Sequence, residues 1–309
     1  MFKHTMIALD LLDNARITGE ILKKRLLDAG AESVSIRTMT GDKVSTDFVR
    51  ITIPGYEGKT GGGNAPTLGV IGRLGGIGAR PEKIGLVSDG DGAVTAIACA
   101  FKLLDMKQKG DSLRGDVVIV THLCPNAEVK ENYPVQYMRS PLDARTMSIT
   151  ERIPEADAVI SVDTTKGNRI LNVKGIAITP TVKEGYILPV SKDLLGIMEI
   201  VTGKPPVVLP LCQQDITPYA NGLWHLNSIM QPSTVTDAPV AGLAITTETA
   251  VPGSATGATH IVDLELAGRF VIEVAKSLGA GRLEFYDKEE FAKLQELYGS
   301  MNHFQKVQA

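Results

Sequence analysis

The chain has few cysteines and no long apolar run, and these two shortages exclude several classes of protein. Its three cysteines, Cys99, Cys124 and Cys212, are widely spaced, so we expect neither a disulfide framework nor a paired-cysteine zinc site. Apolar runs are broken by Gly, Thr or a charge before they reach the length of a membrane span. The stretch near the N-terminus is interrupted by Asp10 and Asp13 and lacks a small-residue cleavage site, so no secretory signal is expected. These features favour a cytoplasmic protein with no membrane partner.

The chain also lacks an excess of basic charge. It carries 32 Lys and Arg against 35 Asp and Glu, with a net charge of −3 and a pI of about 6.0. We therefore expect no nucleic-acid partner. Hydrophobic residues make up 43% of the 309 residues, which is enough apolar material for a full core. The sequence predicts one domain over residues 1–309, with surface excursions near 125–147 and 232–239.

Strand-like and helix-like patterns alternate along the chain, which predicts an α/β fold with a mostly parallel or mixed central sheet and helices on both faces. Three apolar runs, KIGLVS, DVVIVT and AVISV, are predicted to be neighbouring, central and mainly parallel strands. Further strands are predicted at 33–38, 47–53, 67–71, 176–179, 207–209 and 240–246. Helices are predicted at 17–27, 93–106, 192–202, 218–230, 262–278 and 288–298.

Polar residues that follow the predicted strands are the candidates for a site, because ligands bind at the carboxyl ends of strands in open α/β sheets. Carboxylates and imidazoles gathered at one sheet edge suit a divalent metal, above all zinc or manganese. The candidate ligands are Asp89, Asp91, Asp163 and His260, the last delivered by the Gly-rich loop PGSATGATH. Other candidates at strand ends are His122, Cys124, Cys212, Gln213, Gln214 and Asp215.

Plainer interpretations stay open for these residues. Asp89 and Asp91 could cap the helix that follows them, since acids favour the positive end of a helix dipole. A lone histidine is more often structural than a ligand, which applies to His122 and His260. A catalytic role for the Cys124 thiol is disfavoured. The glycines at 61–63 and 72–78 match neither a P-loop nor a dinucleotide fingerprint, and they more simply allow close approach of the backbone to a site.

Over residues 17–278 the order of these segments resembles the co-catalytic zinc exopeptidases, the aminopeptidase and carboxypeptidase-like group with a hydrolase-like α/β scaffold. The resemblance is carried by LVSDGDGAVTAIACAFKLLDM, LRGDVVIVT, AVISVDTT, QQDITPYANG and TGATHIVDLELAGRFVIEVAKSL. It implies that Asp89 or Asp91 bridges or binds the metal and that Asp163 and His260 ligate it. The chain also resembles a bacterial family of uncharacterised proteins of about this length.

Two departures from the exopeptidase pattern concern the chemistry. Arg73 stands where the first ligand histidine is expected, and His122-Leu123-Cys124-Pro125 stands where the catalytic Glu pair is expected. One hypothesis is a metal-dependent hydrolase for a small peptide, amide or amino-acid derivative, with His122 either replacing a missing metal ligand or acting as the base, and Arg73 paired with a substrate carboxylate. The other is a non-catalytic descendant that binds a small ligand or serves in an assembly.

Self-association is also expected. The only tryptophan, Trp224, lies in a predicted helix that is too apolar for one buried face, and aromatic residues are enriched in interface cores. Simple packing of this helix in the core is the alternative. The sequence therefore predicts a homo-oligomer.

Overall fold

A computed structural model describes residues 1–73, 77–211 and 228–305. Its central feature is a mixed nine-stranded sheet in the order β1-β2-β4-β3-β7-β11-β9-β10, with β8 paired to β11. The strands are β1 Ser33–Thr40, β2 Ser45–Ile53, β3 Leu68–Gly72, β4 Val117–Leu123, β7 Ala158–Thr164, β8 Gly175–Ile178, β9 Thr181–Lys183, β10 Tyr186–Leu188 and β11 Val240–Thr246. A separate two-stranded hairpin is formed by β5 Val129–Lys130 and β6 Tyr137–Met138.

Several helices begin directly after a residue whose side chain caps them. Thr18 precedes α2, and its hydroxyl accepts a hydrogen bond from the Ile21 N–H; Ser191 and Asp287 cap α5 and α7 in the same way. The helices are α1 Phe2–Leu12, α2 Gly19–Asp28, α3 Asp91–Gln108, α4 Ala144–Glu151, α5 Lys192–Thr202, α6 Ile261–Gly279 and α7 Lys288–Tyr298. Within the described residues, no helix is both long and apolar enough to cross a membrane.

Both faces of the sheet are buried, as the continuous apolar strands predict. In β4, Val117 and Ile119 belong to the larger core cluster, whereas Val118 and Val120 belong to a second cluster on the other face. The larger cluster is completed by residues of α1, α3, α5 and α6. The second is covered by the 3₁₀ turn Ser228–Thr234 and by the chain that follows α4. The α/β fold class is therefore confirmed.

The run KIGLVS is not a strand, and the prediction that it lies at the centre of the sheet is wrong. Gly85 has a φ of +109°, so the run does not stay extended, and burial is limited to its second half: Ile84 is 83% exposed whereas Leu86 and Val87 are buried. Val87 makes only an isolated bridge to Thr256. β3 takes the central place instead, and it pairs in parallel with both β4 and β7.

Two smaller differences follow from tertiary context, and one prediction falls mostly outside the described residues. Residues 207–209 form no strand, only an isolated bridge between Val208 and Ile178. Helix α1 lies in a stretch for which the sequence predicted no element, and it packs on α3 and α6. The predicted helix at 218–230, with Trp224 and His225, lies outside the described residues except for 228–230, which belong to the 3₁₀ turn.

Candidate functional site

A polar cleft of about 830 Å³ opens at the carboxyl ends of β3 and β7. Its walls come from the β1–β2 turn, the 3₁₀ turn at Ser88–Gly90, the segment 128–147 and the 3₁₀ turn at Ser228–Thr234. The predicted excursion at 125–147 thus contributes the hairpin β5–β6 and the start of α4 to this cleft. Three of the sequence-predicted site residues line it, namely Arg73, Asp89 and Asp163.

Arg73 is the first residue after β3, and its guanidinium is held from two sides. Nη1 forms an ion pair with the carboxylate of Glu151 at the end of α4, and Nη2 donates to Oε1 of Gln231 at 2.7 Å. The Glu151 side chain is fully buried, and that burial raises its pKa while the charge of Arg73 opposes the rise. The position expected to hold a histidine therefore holds a fixed guanidinium backed by a carboxylate.

Asp89 and Asp163 reach the cleft from different elements. Asp89 lies in the 3₁₀ turn before α3, and its Oδ2 accepts the Met138 N–H at 3.1 Å. Asp163 lies near the end of β7; its Oδ1 accepts the Thr164 N–H at 2.7 Å, and the Ser228 hydroxyl lies 3.4 Å from its Oδ2. Both carboxylates line the same cleft as Arg73.

Asp91 is separated from this pair although it follows Asp89 by two residues. It is the first residue of α3 and is fully buried, with Lys166 Nζ at 3.2 Å from Oδ2 and the Thr259 hydroxyl donating to Oδ1 at 2.7 Å. Burial raises the pKa of Asp91, and Lys166 is the largest opposing influence. Both oxygens of the Asp91 carboxylate are therefore engaged, one by a lysine ammonium and one by a hydroxyl.

His260 lies beside Asp91 rather than on the cleft wall. It immediately precedes α6, is exposed, and follows Thr259, whose hydroxyl binds Asp91. Asp263 in the first turn of α6 is buried, and its Oδ2 has no hydrogen-bond partner among the described residues. Burial raises the pKa of Asp263.

His122 lies within β4 and not after it, and it is fully buried. Its Nδ1 is 2.9 Å from the Thr46 hydroxyl, and its ring packs against Phe48 with 5.4 Å between ring centroids. His122 is not among the described residues that line the cleft. Cys124, two residues later, is also buried, and burial raises the pKa of its thiol to about 11.

The structure therefore brings together two of the four predicted metal ligands, Asp89 and Asp163, and puts Asp91 and His260 elsewhere. Across residues 1–73, 77–211 and 228–305, no three His, Cys, Asp or Glu side chains are close enough to hold a metal ion. Cys212, Gln213, Gln214 and Asp215 lie outside the described residues.

A cluster of charged residues on the outer part of the cleft, the mouth cluster, was not predicted from the sequence. Glu128 accepts ion pairs from Lys43 at 2.8 Å, Lys130 at 3.1 Å and Arg139 at 3.1 Å. Hydrogen bonds from Lys43, and then Lys130, lower the pKa of Glu128 to about 2. No sequence pattern indicates this cluster, because Lys43 and Glu128 are 85 residues apart.

Comparison with known proteins assigns the chain to a family. Residues 37–308 match the model of a family described as "Protein of unknown function (DUF1177)". The chain belongs to this family. The expected resemblance to a family of uncharacterised proteins is confirmed, and the DUF1177 match includes every cleft residue described above. No curated protein sequence matches the chain.

Several solved structures resemble the chain at low identity. The LapA aminopeptidase of Legionella pneumophila has a TM-score of 0.48 and 14% identity, covering 89% of this chain and 71% of that one. The cytosol aminopeptidase of Coxiella burnetii has a TM-score of 0.47 and 14% identity, and the match covers 87% of this chain and 67% of that one. An Acidobacteriales bacterium glutaminyl cyclase has a TM-score of 0.48 and 11% identity, and the match covers 91% of this chain and 94% of that one. Similarity at this level supports no statement about activity, substrate or metal.

Proposed function

We propose that this protein binds a small amino-acid derivative or short peptide in the cleft. The observation that carries the proposal is that Arg73, Asp89 and Asp163 line the same cleft of about 830 Å³. That volume falls within the range of small-molecule sites, and a few convergent polar groups are what such sites use to fix a ligand. Carboxylates and a guanidinium together suit a ligand that carries both ammonium and carboxylate groups.

A divalent metal is a weaker fit to the residues that line the cleft. Asp89 and Asp163 offer oxygen ligands, which suit zinc or manganese, but Asp91 is held by Lys166 and His260 lies beside Asp91. The described residues therefore do not provide a complete ligand set. Ligand binding, rather than hydrolysis, is therefore the proposed function.

Calorimetric titration tests the proposal on the full chain. A panel of free amino acids and dipeptides is titrated, each with and without added zinc or manganese. We expect at least one dipeptide to bind, and Asp89→Asn or Asp163→Asn to weaken it on the order of tenfold, since charged hydrogen bonds are the strong ones. Asp28→Asn, an exposed substitution at the end of α2, is the matched control and should bind like the wild type. A panel without any binder would contradict the proposal.

Metal-dependent hydrolysis of the same compounds is the second candidate, favoured by the two carboxylates in the cleft. Metal content measured by mass spectrometry on the purified protein separates it from simple binding. In a metal hydrolase, Asp89→Asn and Asp163→Asn would lower metal content and turnover together. His122→Ala would lower turnover more than metal content if His122 is the base, because general-base catalysis contributes roughly 10²–10⁴-fold. Cleavage of an aminoacyl anilide by the wild type would favour this candidate.

A further inference from the structure

The charged residues of the cleft differ in exposure, which distinguishes an inner from an outer part. In the inner part, the Arg73 side chain is 11% exposed and is paired with the buried Glu151, and the carboxylates of Asp89 and Asp163 line the same cleft. In the outer part, the mouth cluster gathers Lys43, Lys130 and Arg139 around the carboxylate of Glu128, with the Lys43 and Arg139 side chains 64% and 50% exposed. Within the mouth cluster itself, three cations share one carboxylate.

Two further acids line the cleft, Asp42 and Asp143. Asp143 caps α4, where its carboxylate accepts the Thr146 N–H at 2.9 Å and the Thr146 hydroxyl at 2.6 Å; these hydrogen bonds lower its pKa and keep it charged. Asp42 is exposed on the β1–β2 turn. Among the described residues, neither acid forms an ion pair with the three cations of the mouth cluster, which all bind Glu128.

We propose that the mouth cluster binds the carboxylate of a zwitterionic ligand, whose cationic group lies at the inner carboxylates. This inference rests on the proposed function and names the ligand's charge pattern and direction. A lysine ammonium has three donors and a guanidinium five, so one carboxylate cannot use all the donors of three cations. Lys43, Lys130 and Arg139 keep N–H groups for a second acceptor, and Glu128 holds them together against their mutual repulsion.

The hairpin β5–β6 connects the two ends of the cleft. The Met138 N–H binds the Asp89 carboxylate at 3.1 Å, and the next residue, Arg139, binds Glu128 through its side chain at 3.1 Å. The Arg139 N–H also donates to the Glu128 carbonyl at 2.8 Å. The inner and outer groups are therefore anchored through consecutive residues, and a dipeptide is the probe that tests whether one small ligand meets both.

Blocked forms of one dipeptide test the direction of binding. The tightest-binding free dipeptide of the panel is compared with its N-acetyl derivative and its C-terminal amide, by titration calorimetry on the full chain. We expect the amide to bind roughly five- to tenfold more weakly than the free dipeptide. The double variant Lys43→Gln/Arg139→Gln should weaken binding of the free dipeptide by a similar factor and leave the affinity for the amide unchanged. Lys107→Gln, which breaks an exposed ion pair with Glu32, is the control and should change neither.

The outcomes separate this inference from the proposed function. If the double variant and the wild type bind the free dipeptide with equal affinity, the mouth cluster does not bind the carboxylate. The same conclusion follows if the double variant loses as much affinity for the amide as for the free dipeptide. If Asp89→Asn still weakens binding of the dipeptide in that case, the cleft remains the binding site and only the role of the mouth cluster is disproved. If no member of the panel binds, the proposed function fails first. A further expected result is that added salt narrows the difference between dipeptide and amide, since exposed charges are screened.

Discussion

The Nζ of Lys166 lies 3.2 Å from Oδ2 of Asp91, and the two side chains are 2% and 0% exposed. Asp163 precedes Lys166 by three residues and Asp89 precedes Asp91 by two, so this ion pair joins the two segments that carry the cleft carboxylates. Removing Lys166 leaves a buried carboxylate without its cation. We therefore expect Lys166→Met to lower the free energy of unfolding by about 3–5 kcal/mol in urea denaturation.

The control for this variant is Lys107→Met, which removes one partner of an exposed pair with Glu32 and should cost less than about 1 kcal/mol. Adding Asp91→Asn to Lys166→Met should restore part of the stability, because the uncompensated charge is then gone. Equal stability of Lys166→Met and the wild type would show that the pair is hydrated and does not hold the two segments together.

Arg73 gives a second prediction, because its guanidinium reaches two partners that a lysine cannot reach together. Arg73→Met should destabilise the fold by about 3–5 kcal/mol, since Glu151 is fully buried and loses its cation. Arg73→Lys should lower the free energy of unfolding by less, because lysine keeps the positive charge beside Glu151 but not the separate hydrogen bond to Gln231. Chemical denaturation measures both. Arg50→Met, at the exposed pair with Glu155, is the comparison; a loss there as large as at Arg73 would contradict the argument from burial.

The mouth cluster predicts a pH dependence. Hydrogen bonds from Lys43 and Lys130 lower the pKa of Glu128 from its ordinary 4.5 to about 2, so its ionised form is favoured in the folded protein. The stability it contributes is present above pH 4.5 and is lost as the pH falls toward 2. The stability difference between the wild type and Glu128→Gln should therefore be constant from pH 5 to 8 and shrink below about pH 4.5. A difference that grows on acidification would refute this.

Neither described cysteine should react as a nucleophile. Burial raises the pKa of Cys99 to about 12 and that of Cys124 to about 11, so both remain protonated thiols at neutral pH. After treatment of the native protein with iodoacetamide at pH 8, peptide mapping should find both unlabelled, and both should be labelled after denaturation. Rapid native labelling of Cys124 would reopen a catalytic role for this thiol.

The sequence predicts most of the elements because their signals are local. Helices α5 and α7 and strand β11 have the predicted bounds, since each combines regular apolar spacing with a capping residue or turn. KIGLVS fails because apolar content alone does not show that Gly85 takes a positive φ. β3 is short, yet its position between β4 and β7 makes it central, and such pairing is not visible in the local pattern.

The site is predicted only in part, for a related reason. Asp89 and Asp163 are expected to meet because polar residues at strand ends share one sheet edge, and both line the cleft, although Asp89 lies in a 3₁₀ turn rather than after a strand and Asp163 lies within β7. Asp91 is expected from the same rule but contacts Lys166, 75 residues away, which no spacing reveals. Lys166 itself could have been noticed as the next charged residue after β7. The roles of Glu151 and Glu128 could not be predicted from the sequence, because tertiary packing decides which cations they contact.

The position of β11 in the sheet has a consequence for how the chain is made. β11 pairs with β7 in parallel and with β8 in an antiparallel arrangement, yet its residues 240–246 come late in the chain. During synthesis, β7 emerges about 80 residues before the strand that covers its free edge. Such an edge presents unpaired N–H and C=O groups that attract other strands. A nascent chain shorter than about 240 residues is therefore exposed to aggregation, and chaperone capture should decline once β11 has left the ribosome.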